Sequence, residues 1–247
     1  MKKISLILFS ICLSGSILAQ EVTPTNKAYL KSASEIIFSF GDVEAIGPTQ
    51  SGFGIEKMDI NPIVRFTLFF HLQQQLHYDF SNRVGMFTGL GVRNVGMIND
   101  LNDSIKVKQR VYSLGIPLAI KVGNLPNGFY VAAGAEAELF FNYKQKVFYD
   151  DEKFKKSEWF SDKVNLFNPS VFLDINSGKG GYLRFKYYLL DFLVEDKQDI
   201  KIYGKPYIYK PEKSTMFYIA VGTTIKSKKG SYKKAKANTV DTAFNLK

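Results

Sequence analysis

Two histidines are the first candidates for chemistry in this 247-residue chain, because it contains no others. His71 and His77 share one face of a predicted strand, and a spacing of six residues separates them by roughly 20 Å. Both cannot therefore bind one metal ion, and the single cysteine, Cys12, lies far away near the N-terminus. A hydrolase site would also need a nucleophile and an orienting acid beside the histidine, and the sequence shows no motif that supplies them. The sequence predicts no catalytic residue, no metal site and no cofactor.

Charged residues on the polar faces of the predicted strands are the second group of candidates. If the strands close into an eight-stranded barrel, side chains fill its interior and leave little room for an ion path. Buried charges are costly unless they find partners, so we expect these residues to pair and plug the lumen. This predicted lumen charge network consists of Arg65, Asp79, Arg93, Lys121, Glu136, Glu138, Asp174, Arg184 and Lys186.

The strand that organises the prediction runs from Val64 to Phe80. Its even positions are apolar or aromatic with the exception of Gln74, and its odd positions are polar with the exception of Phe69. Successive side chains of a strand point to opposite faces, so this segment has one apolar and one polar face. A long alternating strand of this kind suits a barrel whose apolar face contacts lipid.

The same alternation predicts seven further strands, which gives an even number. Their Gly, Ala and Ser faces suit a crowded barrel interior, whereas their apolar rows would overfill a small lumen. The predicted strands are Glu35–Val43, Val64–Phe80, Val84–Gly96, Tyr112–Val122, Phe129–Phe141, Ser170–Ile175, Leu183–Leu189 and Phe217–Ile225.

The connections alternate between long and short, as they do in outer-membrane barrels. The long loops are expected outside the cell: Glu44–Pro62, Met97–Lys106, Lys144–Lys163 and Val194–Ser214. They carry aromatic residues among lysines, a composition common both at protein interfaces and in membrane-interface belts. Trp159, Phe160 and Tyr207 are therefore candidates either for partner binding or for the barrel rim.

These patterns predict an all-β fold, an eight-stranded antiparallel up-and-down transmembrane β-barrel spanning residues 34–225. The alternative architecture is a soluble, lipocalin-like barrel with its apolar face inward. Replacing Leu68 or Leu118 with Arg would separate the two, because the charge would lie in the core of the carrier and in lipid on the barrel.

The N-terminus has the charged, apolar and small-residue order of a secretory signal peptide, which we place at residues 1–19 with cleavage after Ala19. A spanning helix would need a longer apolar run, and the residues before Cys12 fit a lipoprotein signal poorly. Residues 20–33 are expected to form a periplasmic lead-in. The formal charge of +10 reflects in part a basic tail over residues 226–247. In an exported protein this tail predicts a solvated segment, or one that docks an acidic partner, rather than nucleic-acid binding.

The chain resembles the PorT family of Bacteroidota outer-membrane β-barrel proteins from about Arg65 to Ile225. The residues that carry the resemblance are the run YSLGIPLAIK at 112–121, the run YVAAG at 130–134 and the Gly-rich run VGMFTGLGV at 84–92. These are fold signatures without a catalytic residue. The family takes its name from a component needed for type IX secretion, a role that the resemblance does not by itself transfer to this chain.

The sequence therefore predicts a non-catalytic outer-membrane protein that is a structural or interaction subunit of an envelope assembly. Its expected partners are outer-membrane lipid and an envelope protein, with no nucleic acid. The alternatives are a lipid-modifying enzyme of the outer membrane and a soluble periplasmic carrier.

Overall fold

The computed structural model describes residues 27–49, 54–68 and 71–226, and these residues form strands connected by turns and loops. No helix in these ranges is long and apolar enough to cross a membrane. The strands are β1 (Lys27–Pro48), β2 (Ile55–Lys57), β3 (Asn61–Ile63), β4 (Arg65–Thr67), β5 (Leu72–Asp79), β6 (Val84–Asn102), β7 (Ile105–Asn124), β8 (Phe129–Tyr149), β9 (Glu152–Trp159), β10 (Phe167–Asn176), β11 (Gly181–Tyr188), β12 (Ile200–Ile202), β13 (Lys205–Tyr207) and β14 (Lys210–Lys226).

Eight of these strands close into a ring. The antiparallel order is β1, β5, β6, β7, β8, β10, β11 and β14, and β14 pairs again with β1. Two pairings complete the circle: β8 with β10, where Val171 lies opposite Ala135, and β11 with β14, where Phe185 lies opposite Ile219. The predicted eight-stranded antiparallel barrel is confirmed.

Apolar side chains line the outside of this ring and polar or small ones line the inside. On β7, Ile116, Leu118, Ile120 and Val122 are more than half exposed, whereas Lys121 between them is fully buried. The outer surface carries the apolar belt that a lipid-facing barrel needs. Leu68 and Leu118 both lie on this belt, which contradicts the carrier alternative with its apolar face inward.

The strand predicted over Val64–Phe80 is interrupted, so that prediction was wrong in its continuity. On β1, Ile37 lies opposite Thr67 of β4, and Ser34 lies opposite Leu72 of β5. Positions 37 and 34 of β1 are three residues apart, whereas their partners at positions 67 and 72 are five residues apart. The segment that joins β4 to β5 therefore has two more residues than the opposite part of β1. An even insertion preserves the alternation of faces, so Arg65 and the residues of β5 keep their predicted sides.

Two of the four segments predicted as long loops, Met97–Lys106 and Lys144–Lys163, are largely strand, and about half of the residues in Glu44–Pro62 and Val194–Ser214 are strand, which corrects the loop boundaries. The turn between β6 and β7 has only two residues, Asp103 and Ser104, and β8 turns into β9 at Asp150 and Asp151. The strands continue beyond the apolar belt because their inward side chains, among them Val107 and Val147, pack into an apolar cluster. Many of their polar residues, such as Lys144 and Lys146, occupy the outward positions of an alternating strand.

The N-terminal boundary of the barrel also differs from the prediction. Residues 27–33, expected in the lead-in, belong to β1, where Tyr29 lies opposite His77 and Ala33 opposite Gln73. The signal peptide at 1–19, residues 20–26 and the tail beyond Lys226 lie outside the described residues.

Candidate functional site

The centre of the lumen contains a buried ion network built on Glu35. Arg93 Nε donates to Glu35 Oε1 at 2.6 Å, and its Nη1 donates to Glu136. Arg184 donates two hydrogen bonds of 2.7 Å to Asp174 and a longer one of 3.4 Å to the second oxygen of Glu35. Both guanidinium groups are almost fully buried. The two arginines therefore connect carboxylates from three different strands across the barrel.

Lys186 extends this network toward the end of the lumen that carries the β6–β7 and β8–β9 turns, the end expected to be extracellular. Its Nζ donates to Glu136 at 2.7 Å and also to Glu138. Six of the nine predicted residues thus lie in one network together with Glu35, as three cations facing four carboxylates: Arg93, Glu136, Glu138, Asp174, Arg184 and Lys186. Opposite charges in direct contact offset the cost of burying each other.

The remaining three predicted residues lie apart from the central network. Lys121 pairs with Asp79 at 2.5 Å and also donates to the hydroxyl of Tyr29 at 2.9 Å. Arg65 makes its hydrogen bonds to the backbone carbonyl and the side chain of Asn94, and none of its described contacts is a carboxylate. The predicted single network is therefore a central cluster, a separate ion pair and one arginine bonded to an amide.

Sequence reasoning missed Glu35, the residue that joins the two arginines. A usable signal is present in the sequence, because Glu35 shares its parity with Ser39 and Gly41, opposite the apolar row of Ile36, Phe38 and Phe40. Tyr182 was missed as well; its hydroxyl donates to Glu35 at 2.9 Å. Gly222 leaves the space for the Tyr182 ring, since an added Cβ would overlap it.

The two histidines contact amide, lysine, backbone and aromatic groups. His77 lies between Gln75 at 2.9 Å and Lys121 at 3.1 Å, and its ring stacks on Tyr29. His71 Nδ1 accepts a hydrogen bond from the backbone N–H of Asn94 at 3.3 Å. Within the ranges that the structure describes, no group of three or more His, Cys, Asp or Glu residues could hold a metal ion.

Apolar side chains close the lumen on both sides of the ion network. On the side expected to be extracellular, the connections β9–β10 and β11–β14 fold inward, and their residues Val164, Phe192, Leu193 and Ile200 are buried against strand residues. On the opposite side, expected to be periplasmic, a smaller cluster contains Phe87, Leu125, Tyr130 and Phe172. The lumen is therefore packed along its length.

The end expected to be extracellular opens into a cup of about 1310 Å³. Acidic residues predominate around it, including Asp59, Asp100, Asp103, Asp150 and Asp151. The candidate partner residue Tyr207 also lines this cup, where its hydroxyl accepts a hydrogen bond from Asn102 at 3.4 Å.

Trp159 and Phe160, the other two candidate partner residues, lie elsewhere, on the outer rim at the end of β9. Both are well exposed, and Trp159 stacks on Phe141 with 5.9 Å between ring centroids. The three aromatic candidates therefore do not form one surface.

No protein-family model and no curated relative matches the chain. Among solved structures it is similar to Ail, the attachment invasion locus protein of Yersinia pestis, at 11% identity and a TM-score of 0.34 over 80% of this chain and 99% of that one. It is similar to the outer membrane protein AlkL at 12% identity and a TM-score of 0.41, over 86% and 96% of the two chains. It is also similar to OprG from Pseudomonas aeruginosa at 9% identity and a TM-score of 0.38, over 83% and 99%. At these TM-scores the likenesses carry no argument about function.

Proposed function

We propose that this protein is a non-catalytic outer-membrane barrel that acts through its extracellular end, as a structural or interaction subunit of the envelope. The observation that supports the proposal most directly is the packed lumen. Arg93 and Arg184 bind carboxylates across the barrel, and apolar clusters close both ends. A barrel filled in this way has no path for solutes, so its surface is left to perform its function.

The outer surface favours a membrane location. The exposed side chains of β5, β6, β7, β8, β10, β11 and β14 are mainly apolar, and such a continuous surface in water would aggregate. Tyr112, Phe141 and Trp159 stack in a row at the extracellular limit of this belt, with centroid distances of 6.4 and 5.9 Å. Aromatic rows of this kind occur at membrane interfaces.

The alternative of a lipid-modifying enzyme has no support in the contacts of His71 and His77. Their described hydrogen-bond partners are Asn94, Gln75 and Lys121, and none is a hydroxyl, a thiol or a carboxylate. Membership of the PorT family and a role in type IX secretion remain predictions from the sequence resemblance.

The membrane orientation can be tested by cysteine labelling of the full chain in cells. Lys201→Cys lies on the extracellular hairpin of β12 and β13, and Lys179→Cys lies in the periplasmic turn between β10 and β11. A membrane-impermeant maleimide should label Lys201→Cys in intact cells and Lys179→Cys only after the outer membrane is permeabilised. The unchanged chain, whose single cysteine is Cys12, gives the background. Equal labelling of both variants in intact cells would contradict the proposed orientation.

The interaction role needs a separate test. A photo-crosslinking residue placed at Trp159 or Tyr207 should give discrete protein adducts in cells, whereas the same residue at the lipid-facing position Leu118 should not. If all three positions give the same adducts or none, the extracellular end is not an interaction surface and the proposed role is wrong.

A further inference from the structure

The outward face of β7, β8 and β9 carries rows of cations beyond the membrane belt. In the strand register Lys108 lies opposite Lys146, and Lys146 lies opposite Lys155. Residues paired in this way point to the same side of a sheet. Their neighbours Val107, Gln109, Gln145 and Val147 are buried, so the lysines point away from the barrel. Three strands therefore present one row of three lysines.

Two further rows flank the first. Toward the membrane, Arg110 lies opposite Lys144, and toward the tip, Phe148 lies opposite Lys153. We call the resulting surface the basic face; its residues are Lys108, Arg110, Lys144, Lys146, Lys153 and Lys155.

The basic face has no acidic partners of its own. In the ranges covered by the structure, none of its six cations belongs to an ion pair, and the Nε of Arg110 is buried without a hydrogen-bond partner. Two acidic residues of β6 and β9 pair with other lysines. Asp100 pairs with Lys106 at 3.6 Å, and Glu158 faces inward to Lys156 and Lys163.

Like charges placed opposite one another on a sheet are destabilising. Burial is the main cause that lowers the pKa of Lys108, and the charges of Arg65, Arg110, Lys146 and Lys153 lower it further. Burial is likewise the main cause that lowers the pKa of Lys146, and the charges of Arg110, Lys153, Lys155 and Lys144 lower it further. Binding of an external anion would therefore reduce the repulsion among these cations.

The position of the basic face identifies the kind of anion. Its lowest row, Arg110 and Lys144, follows directly on the stacked row of Tyr112 and Phe141, and Lys144 Nζ lies 5.0 Å from the centre of the Tyr112 ring. Two residues of strand span about 7 Å, so the three cation rows lie roughly 7, 14 and 20 Å beyond the aromatic row along the strand. Barrel strands are tilted by about 35–45°, so these rows rise roughly 5, 10 and 15 Å above the aromatic row. The lowest row then lies at the level of the lipid headgroups, and the other two lie directly above it, when the aromatic row marks the membrane interface.

We infer that the basic face binds the phosphate groups of the phosphorylated glycolipid, lipid A, in the outer leaflet around the barrel. Arginine and lysine both bind phosphate, arginine through its planar fork and lysine as a point charge. The basic face continues the lipid-facing surface without a break, so a lipid seated on the belt below would carry its headgroup to these cations. The inference rests on the proposed outer-membrane location.

Lipid retention by the full-length protein tests this inference. The protein is reconstituted in phosphatidylcholine nanodiscs with a minor fraction of lipid A, extracted in mild detergent, and the bound lipid A is counted by native mass spectrometry. The variant K108Q/K146Q/K155Q removes the middle row, and K179Q/K201Q/K205Q removes three exposed lysines elsewhere as a control of equal charge. A cation near an anionic lipid surface contributes roughly fivefold to binding, so retention should fall by roughly tenfold or more in the first variant. The control and the wild type should retain lipid A equally, and neither should retain lipid A stripped of phosphate.

Three outcomes would overturn the inference: equal retention by the two variants, equal retention of phosphate-free lipid A, or displacement of lipid A by a soluble polyanion that binds the basic face more tightly. Heat-modifiable migration on gels verifies that each variant is folded and inserted. If the triple variant fails to fold, K146Q/K155Q, confined to the hairpin of β8 and β9, takes its place. A wild-type protein that does not insert into bilayers refutes the proposed location, whereas an inserted protein whose lipid A retention ignores the lysines refutes only this inference.

Discussion

The lumen and the basic face both contain arginines and lysines, but, among the residues that the structure describes, the cations of the central lumen network are paired with carboxylates and those of the basic face are not. Inside, Arg93 and Arg184 each contact carboxylates from other strands, and every carboxylate of the central network has a cation within hydrogen-bond distance. Outside, Lys108, Lys146 and Lys155 stand in one row across three strands. The alternation of the strands thus places charged residues with different roles on the inner and the outer face of the barrel. Charges that satisfy one another hold the barrel together, and charges left of one sign are available to a partner.

Removing a lumen cation should produce the largest effect. Arg93→Ala leaves Glu35 and Glu136 buried without their main partner, and breaking a buried ion pair in this way costs about 3–5 kcal/mol. The measurement is the urea-unfolding free energy of the full-length protein in detergent or lipid. Arg110→Ala on the basic face is the matched control, and we expect it to change stability by about 0.5 kcal/mol or less. Equal losses in both variants would remove the distinction between the two regions.

A charge placed on the lipid-facing belt should have the next largest effect. Leu118 is 57% exposed on β7, and an arginine near the midplane of a bilayer costs about 2–4 kcal/mol. Leu118→Arg should therefore lower the unfolding free energy in lipid and slow membrane assembly. Ile208→Arg, an exposed apolar position between β13 and β14, should have little effect. Identical behaviour of the two variants would mean that Leu118 does not face lipid.

The inward face of β9 should respond to acid. Burial alone would raise the pKa of Glu158, but hydrogen bonds from Lys156, Lys163 and Ser161 lower it to about 2. A carboxylate with a lowered pKa stabilises the fold above its ordinary value of 4.5, and this contribution disappears as the pH falls from about 4.5 toward 2. Trp159, the single tryptophan of the chain, directly follows Glu158.

The fluorescence of Trp159 should therefore shift between pH 4.5 and 2. Glu158→Gln should show the shifted emission already at neutral pH and lose the titration. Glu212→Gln, which removes an exposed carboxylate on β14 and leaves Glu158 untouched, should keep it. A wild-type emission that is constant over this range would contradict the role assigned to Glu158.

The smallest effect on stability is expected on the basic face. Lys155 is exposed and has no described ion pair, so Lys155→Gln should change the unfolding free energy by about 0.5 kcal/mol or less. The same variant should nevertheless reduce lipid A retention. If Lys155→Gln lowered the unfolding free energy but retained lipid A, the role assigned to the basic face would be contradicted.

The sequence predicted the faces of the strands better than their ends. Alternation placed Lys121 and Arg184 inside and Leu118 outside because the period of a strand is two and one face is apolar. It failed at Met97–Lys106 and Lys144–Lys163, where strands continue into solvent and their outward residues turn polar. Composition then resembles a loop, and only the inward residues such as Val107 and Val147 carry the signal.

The sequence could not predict which charged side chains contact one another within the lumen. Parity places Arg93, Glu35 and Glu136 on the inner face, but the register between strands and the curvature of the barrel decide which of them meet. The two extra residues between β4 and β5 shift that register without altering the pattern of faces. Arg65 consequently bonds to Asn94 and not to a carboxylate, a result that no single-strand pattern could indicate.

The central claim, that a packed lumen leaves the function to the surface, is tested most directly by conductance across a planar lipid bilayer. The full-length protein is inserted, and insertion is verified in the same preparation by heat-modifiable migration. We predict no stepwise conductance above that of the bare bilayer, because the ion network around Glu35 and the two apolar clusters fill the lumen. Stable, ion-selective conductance steps from the inserted wild-type protein would contradict the claim and identify the barrel as a channel.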